Sequence, residues 1–110
     1  MAISPKVLAQ RTPAAGGAFE DAYTVPGATQ TTVSTILFHN THAVNTDTAQ
    51  VRIAIGGAVN AATQQIMNVN VPAEGTVIIT TGITLAATDV ARVASTNGTV
   101  NFHFYGIEEA

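Results

Sequence analysis

The sequence predicts an all-β fold: a single antiparallel β-sandwich of about eight strands, jelly-roll-like or Ig-like in its order. Three observations predict it. β-branched residues alternate with polar ones along most of the chain, turn residues interrupt them at short spacing, and helical periodicity is hard to find.

KVLAQ (6–10) reads as a first short strand, followed by a loop in RTPAAGGA (11–18), where Pro and paired Gly disfavour a helix. FEDAYTV (19–25) is a second strand, stopped by Pro26-Gly27. TTVSTILFH (31–39) is the clearest strand, with Val33, Thr35 and Leu37 on one face and Ser34, Ile36 and Phe38 on the other. NTHAVNTD (40–47) is a loop. AQVRIAI (49–55) places Val51, Ile53 and Ile55 inward and Arg52 outward, and Gly56-Gly57 ends it. QQIMNVNV (64–71) and TVIITT (76–81) are strands separated by the Pro72–Gly75 turn, the second ended by Gly82. ITLAAT (83–88) is ambiguous between strand and crossing loop. DVARVAS (89–95) and TVNFHFYGI (99–107) are strands joined through Asn97-Gly98, a tight-turn pair. The expected core is Val33, Leu37, Val51, Ile53, Ile55, Val69, Val77, Ile79, Val93, Val100, Phe102 and Phe104. Residues 1–18 read as an N-terminal strand and extended arm that packs on a neighbour, and 19–110 as the sandwich domain.

Composition narrows the function. At 110 residues the chain suits one domain with a modest core. Charged residues make up 10%, well below the ~25% of typical soluble domains. Polarity comes from Thr, Asn and Gln instead, a surface compatible with cover by partner subunits. Net charge is −3, and the four basic residues Lys6, Arg11, Arg52 and Arg92 are scattered, so nucleic acid is not an expected partner. The absence of cysteine excludes disulfides, thiolate nucleophiles and Cys-ligated zinc. No run at the N-terminus reads as a secretory signal, and none approaches the ~18 apolar residues of a membrane helix.

The candidate chemistry starts at FHNTH (38–42). His39 and His42 lie three apart, and His103 is the third histidine. Zinc needs imidazoles converging at about 2.1 Å. Residues three apart on a strand face opposite sides, unlike the i, i+4 pair of a His-Glu-x-x-His helix. The histidines are therefore expected at a surface or subunit interface, with no metal and no cofactor. Asn45-Thr46-Asp47 lacks the ligand spacing of a calcium loop and reads as a solvated loop. Gly56-Gly57 is not followed by Gly-Lys-Ser/Thr. No serine sits in Gly-x-Ser-x-Gly, although Ser34, His39 and Asp47 make a triad on paper. Asp89 suits an Asx-type turn opening a strand. The chain is expected not to be an enzyme.

Three segments carry a resemblance: KVLAQRTPAA with AYTVPGATQTTVSTILFHN, AQVRIAIGGA, and GITLAATDVARVASTNGTVNFHFYGIEE. Their order is similar to that of the small β-sandwich structural proteins of tailed-bacteriophage virions. Tyr23 to Pro26, Asn40, Gly82 to Val90, Phe102, Gly106 and Glu108 occupy the matching positions. The 40–47 loop departs from the pattern, being longer and carrying an added histidine. The resemblance implies a non-enzymatic virion component, either a capsid decoration (cement) protein or a tail, fibre or baseplate part. For the first it implies a homotrimer bound to the major capsid protein, with shell binding stabilising the shell by mass action. The expected interface residues are Lys6, Val7, Leu8, Arg11, Arg52, His39, His42 and His103. A carbohydrate-binding sandwich is the further alternative, though the chain lacks tryptophan for a sugar platform.

Overall fold

The computed structural model describes residues 3–110. Eight strands make two four-stranded antiparallel sheets. They are β1 (Ile3–Arg11), β2 (Glu20–Thr24), β3 (Gln30–Asn40), β4 (Asp47–Ala54), β5 (Gln65–Val71), β6 (Thr76–Leu85), β7 (Val90–Ser95) and β8 (Val100–Glu109). The first sheet runs β1-β8-β3-β6 and the second β2-β7-β4-β5. The pairs β1–β8, β2–β7, β3–β6 and β4–β5 match the two halves of the chain in reverse order. The chain is thus one long hairpin, turned at β4–β5 and rolled into two layers. That winding is a jelly roll. Apart from two single turns of 3-10 helix at Ile55–Gly57 and Ala62–Gln64, the described residues form no helix.

The strands expected from alternation all form. The ambiguous ITLAAT segment resolves as a continuation of β6, which passes through Gly82 and ends at Leu85. β1 pairs antiparallel with β8, so Ile3–Arg11 forms the edge of the chain's own first sheet.

Between the sheets, Val33, Ile36, Phe38, Val51, Val71, Leu85, Val93, Val100, Phe102 and Phe104 are all essentially buried. Phe38 and Phe102 meet edge to face at 5.4 Å, a favoured aromatic geometry. Two expected core positions lie elsewhere. The register shifts between Val33 and Thr35, so alternation changes phase at Ser34. Val33 faces inward above the shift and Ile36 and Phe38 below it, which turns Leu37 out. Ile55 is 78% exposed because β4 stops at buried Ala54 and the chain turns through Gly56 at φ +63°. Ile53, Val69, Val77 and Ile79 are half-buried and pack against the core.

Two glycines are dictated by close approach. A Cβ on Gly106 would stand 2.0 Å from the Thr32 carbonyl oxygen, where β8 crosses β3. Gly98 has φ +72°, and a Cβ there would meet the Ala15 backbone nitrogen at 2.6 Å. The Asn97-Gly98 turn therefore also seats the 12–19 loop, whose Gly16 N–H donates to the Thr96 carbonyl.

Candidate functional site

One end of the sandwich gathers the 40–47 loop, the 72–75 turn and the 95–99 turn. Asn40 closes β3 and is fully buried. Its amide nitrogen donates to the carbonyls of Asn45 (2.9 Å) and Val71 (3.0 Å), and its side-chain oxygen accepts the His42 N–H at 3.0 Å. Asp47 opens β4 and is 1% exposed. It accepts the Ser95 hydroxyl at 2.5 Å and the backbone N–H groups of Asn97 and Thr99. The Thr99 hydroxyl lies 2.8 Å from Asn40 Oδ1 and 3.0 Å from Asp47 Oδ2, so its one proton serves either acceptor. Burial pushes the Asp47 pKa up, but the donors from Ser95, Asn97 and Thr99 outweigh it and hold the carboxyl below its ordinary range. Asp47 is thus a buried cap and not the solvated loop residue expected.

His42 belongs to the same construction. Its Nδ1 accepts the N–H groups of Val44 (3.1 Å) and Asn45 (3.0 Å), which requires an unprotonated Nδ1. Its carbonyl accepts the Glu74 N–H, tying the loop to the 72–75 turn. The loop is held from within, and it presents Val44 at 78% exposure.

At the other end, the Tyr23 hydroxyl donates to Glu108 and lies 2.8 Å from the Thr31 hydroxyl. Lys6 pairs with the same carboxylate at 2.6 Å. Burial and then Glu108 push Tyr23 up to about 12, while Lys6 and then Tyr23 hold Glu108 below the ordinary carboxylate range. Asp89 accepts the N–H groups of Ala86, three residues before it, and of Gly56, so in place of the expected Asx-type turn it ties its own turn to the end of β4.

Of the eight expected interface residues, Val7, His39 and His103 share the outer face of the first sheet, and the other five lie elsewhere. Arg11 donates twice to Glu20, at 3.1 and 2.6 Å, closing the loop between β1 and β2. Arg52 lies over the Phe19 ring at 4.1 Å and donates to Gln65 and Asn60. Lys6 serves Glu108, and Leu8, at the β1 bulge, packs against the core. Val7 is 49% exposed. His39 lies 2.9 Å from the Thr76 hydroxyl. His103 contacts Gln10 at 3.2 Å and stacks on Tyr105 with ring centres 6.2 Å apart. Arg11 and His103, with Gln10, Thr12 and Asn101, line a shallow polar cleft of about 290 Å³. The paper triad does not assemble by hydrogen bonds: Ser34 donates to the Tyr105 carbonyl, His39 bonds Thr76, and Asp47 is taken by Ser95. No group of three or more His, Cys, Asp or Glu side chains suited to a metal occurs among the described residues.

What alternation alone missed is the outer face of the first sheet. Register places Val7, Tyr105, Thr35 and Thr80 in one row, and Gln10, His103, Leu37 and Ile78 in the next. Ile78 is 61% exposed. The phase change at Ser34 hid this face, since it moved Leu37 from the expected core to the surface.

No family model matches the chain, and no curated protein matches it. Solved structures do. The Agl-KA catalytic domain matches 87% of this chain at 13% identity and a TM-score of 0.46, the match spanning 20% of its own length. The carbohydrate-binding module CBM36, solved with calcium and xylotriose, matches 99% of this chain and 98% of its own at 16% identity and a TM-score of 0.42. A pentameric capsid protein isolated from metagenomic phage sequences matches 94% of this chain and 64% of its own at 13% identity and a TM-score of 0.31. The chain thus spans about a fifth of the first and less than two thirds of the third. Capsid proteins and carbohydrate-binding modules are both among its structural neighbours. Among the described residues no helix is long and apolar enough to cross a membrane.

Proposed function

We propose that this chain is a non-enzymatic structural protein of a tailed-bacteriophage virion. In this reading it is a capsid decoration protein that binds the major capsid protein as a homotrimer and stabilises the shell. The observation that carries it is the distribution of charge. Residues 53–88, which include β5 and β6, carry Glu74 as their one formal charge, and residues 22–46 carry none. The flank and the loop end built from them expose Val44, Ile55, Val59, Ile66 and Ile78, of which Val44 and Ile78 lie apart from the charged groups Asp89, Arg92 and Arg52 that bond beside the other three. Such a surface loses little on desolvation and suits burial against other subunits. The sequence resemblance supports the same reading.

The mechanism is linkage. A protein that binds the assembled shell and not its separated subunits stabilises the shell in proportion to its own occupancy. The rigid 40–47 loop, with Val44 at its tip, is the proposed shell contact. Residues 1–18 keep their proposed role as a strand and arm against a neighbour, through the edge of β1 that faces away from β8. The expected interface set from Lys6 to His103 narrows to Val7, His39 and His103. Arg11 and Arg52 are occupied within the chain, and His42 acts by holding its loop.

Purified protein added to expanded, undecorated shells should co-sediment saturably, and quantitative gels of particles should show hundreds of copies. A handful of copies per particle would select the tail, fibre or baseplate reading, and no binding to any particle would sink both. A glycan-binding reading has one observation in its favour. The rows Thr48–Asn70 and Gln50–Asn68 line the outer face of the second sheet with amides and hydroxyls. The nearest aromatic, Phe19, is covered by Arg52, so stacking on a sugar ring has no free platform there. Binding on a glycan array would revive it.

A further inference from the structure

The two outer faces of the sandwich are finished differently. The chain covers the β7–β4 part of the second sheet itself, leaving Asn68 and Asn70 of β5 exposed. Arg92 donates to the carbonyls of Ala58 (2.7 Å) and Gly57 (3.4 Å), and Arg52 is laid over Phe19. Ala54 and Val90 pair on the outward side of that sheet, yet both are buried.

The first sheet has no such cover among the described residues. Its outer face exposes Val7 (49%) and Ile78 (61%), with the half-buried Leu37, Tyr105 and Ile107 on the strands between them. Its basic groups are His39 and His103, while Lys6 and Arg11 alternate to the other side of β1, toward Glu108 and Glu20. Glu109, at the far end of β8, is its one carboxylate. Four strands about 4.8 Å apart and roughly nine residues long span about 19 by 30 Å. Two such faces together would bury roughly 1,100 Å², above the ~1,000 Å² that a specific interface needs. Two identical copies bring no like charges together across most of this surface, and sheet faces pack directly at about 10 Å.

We infer that a second copy of this chain packs on the outer face of the first sheet, burying Val7, Leu37, Ile78, Tyr105 and Ile107. This self-contact deepens the homo-oligomer part of the proposed function and leaves the 40–47 end free for the shell. Light-scattering mass of the full chain over a wide concentration range tests it, with Leu37→Glu and Ile78→Lys as variants. Gln50→Glu on the second sheet is the control. The wild type and the control should be oligomeric, and both variants monomeric with an unchanged circular-dichroism spectrum. If Leu37→Glu does not fold, Ile78→Lys on the edge strand decides. A wild type that stays monomeric, or an oligomer that survives Ile78→Lys, overturns the inference. Shell binding is scored separately: oligomers lost on Ile78→Lys in a protein that binds no shell would end the decoration role and leave this contact standing. The wild-type mass also tests the trimer, since a dimer lost in the same way supports the face and removes the three-fold arrangement.

Discussion

Asp47 is the residue on which the loop end depends. Its carboxylate gathers donors from Thr48, Ser95, Asn97 and Thr99, so it joins β4 to the β7–β8 turn. Asp47→Asn keeps the shape but removes the charge and converts one acceptor to a donor that faces other donors. Urea unfolding at pH 7 should show a loss of about 1.5–3 kcal/mol, the scale of hydrogen bonds to charged groups. The pH dependence has a definite sign. The folded pKa lies below the ordinary 3.8, so the contribution is complete above that value and is lost as pH falls through the folded one. The wild type should therefore lose stability in acid more steeply than Asp47→Asn. Tyr23 gives the opposite limb. Its pKa is raised from 10.0 to about 12, so its contribution is present below pH 10 and disappears as pH climbs toward 12. Tyr23→Phe should flatten that alkaline decline and cost about 0.5–1.5 kcal/mol at neutral pH. An unchanged alkaline limb would remove Tyr23 from the account.

Among the elements, β3 and β6 separate what the sequence could say from what it could not. The strands themselves were legible because Thr, Val and Ile alternate along them and turn residues bound them. Their facing was not. An extra residue at Ser34 shifts β3 against β8 and reverses the phase, and no local residue pattern announces such a bulge. Gly82 misled for a related reason. It reads as a strand terminator, yet it sits beside the β6 irregularity with open space where its Cβ would be. Gly106 is the contrast, since a methyl group there runs into the Thr32 carbonyl. Gly106→Ala should therefore cost about 3 kcal/mol or more, the top of the overpacking range. Gly82→Ala should be neutral or stabilising by up to about 1 kcal/mol through the unfolded state. Thermal melts of the pair measure this directly, and equal effects would contradict the packing at the β3–β8 crossing.

At the scale of the molecule, charge is segregated. The three ion pairs among the described residues, Lys6–Glu108, Arg11–Glu20 and Arg92–Asp21, all join β1, β2, β7 and β8. The β5–β6 flank has none among the described residues. Exposed pairs contribute little, because solvent screens them. Raising salt from ~0.1 M to ~1 M shortens the screening length from ~10 Å to ~3 Å and should therefore lower stability only slightly. A larger loss in a salt series of melts would mean that charge, and not burial, holds the sandwich.

The sequence by itself determined the all-β class, nearly every strand and turn, the shortage of charge and the lack of catalytic motifs. Those follow from local chemistry: branching at Cβ, the conformations open to Gly, Pro and Asn, and the identities of the side chains. It also carried Asn40 and Asp47 in plain view at the two ends of a loop, without showing that they share Thr99. Tertiary structure alone decided the jelly-roll order, the outward turn of Leu37, the capture of Arg11 and Arg52 within the chain, and the bare face of the first sheet. Each depends on register between strands far apart in sequence. A shift of one residue there exchanges the buried side for the exposed one.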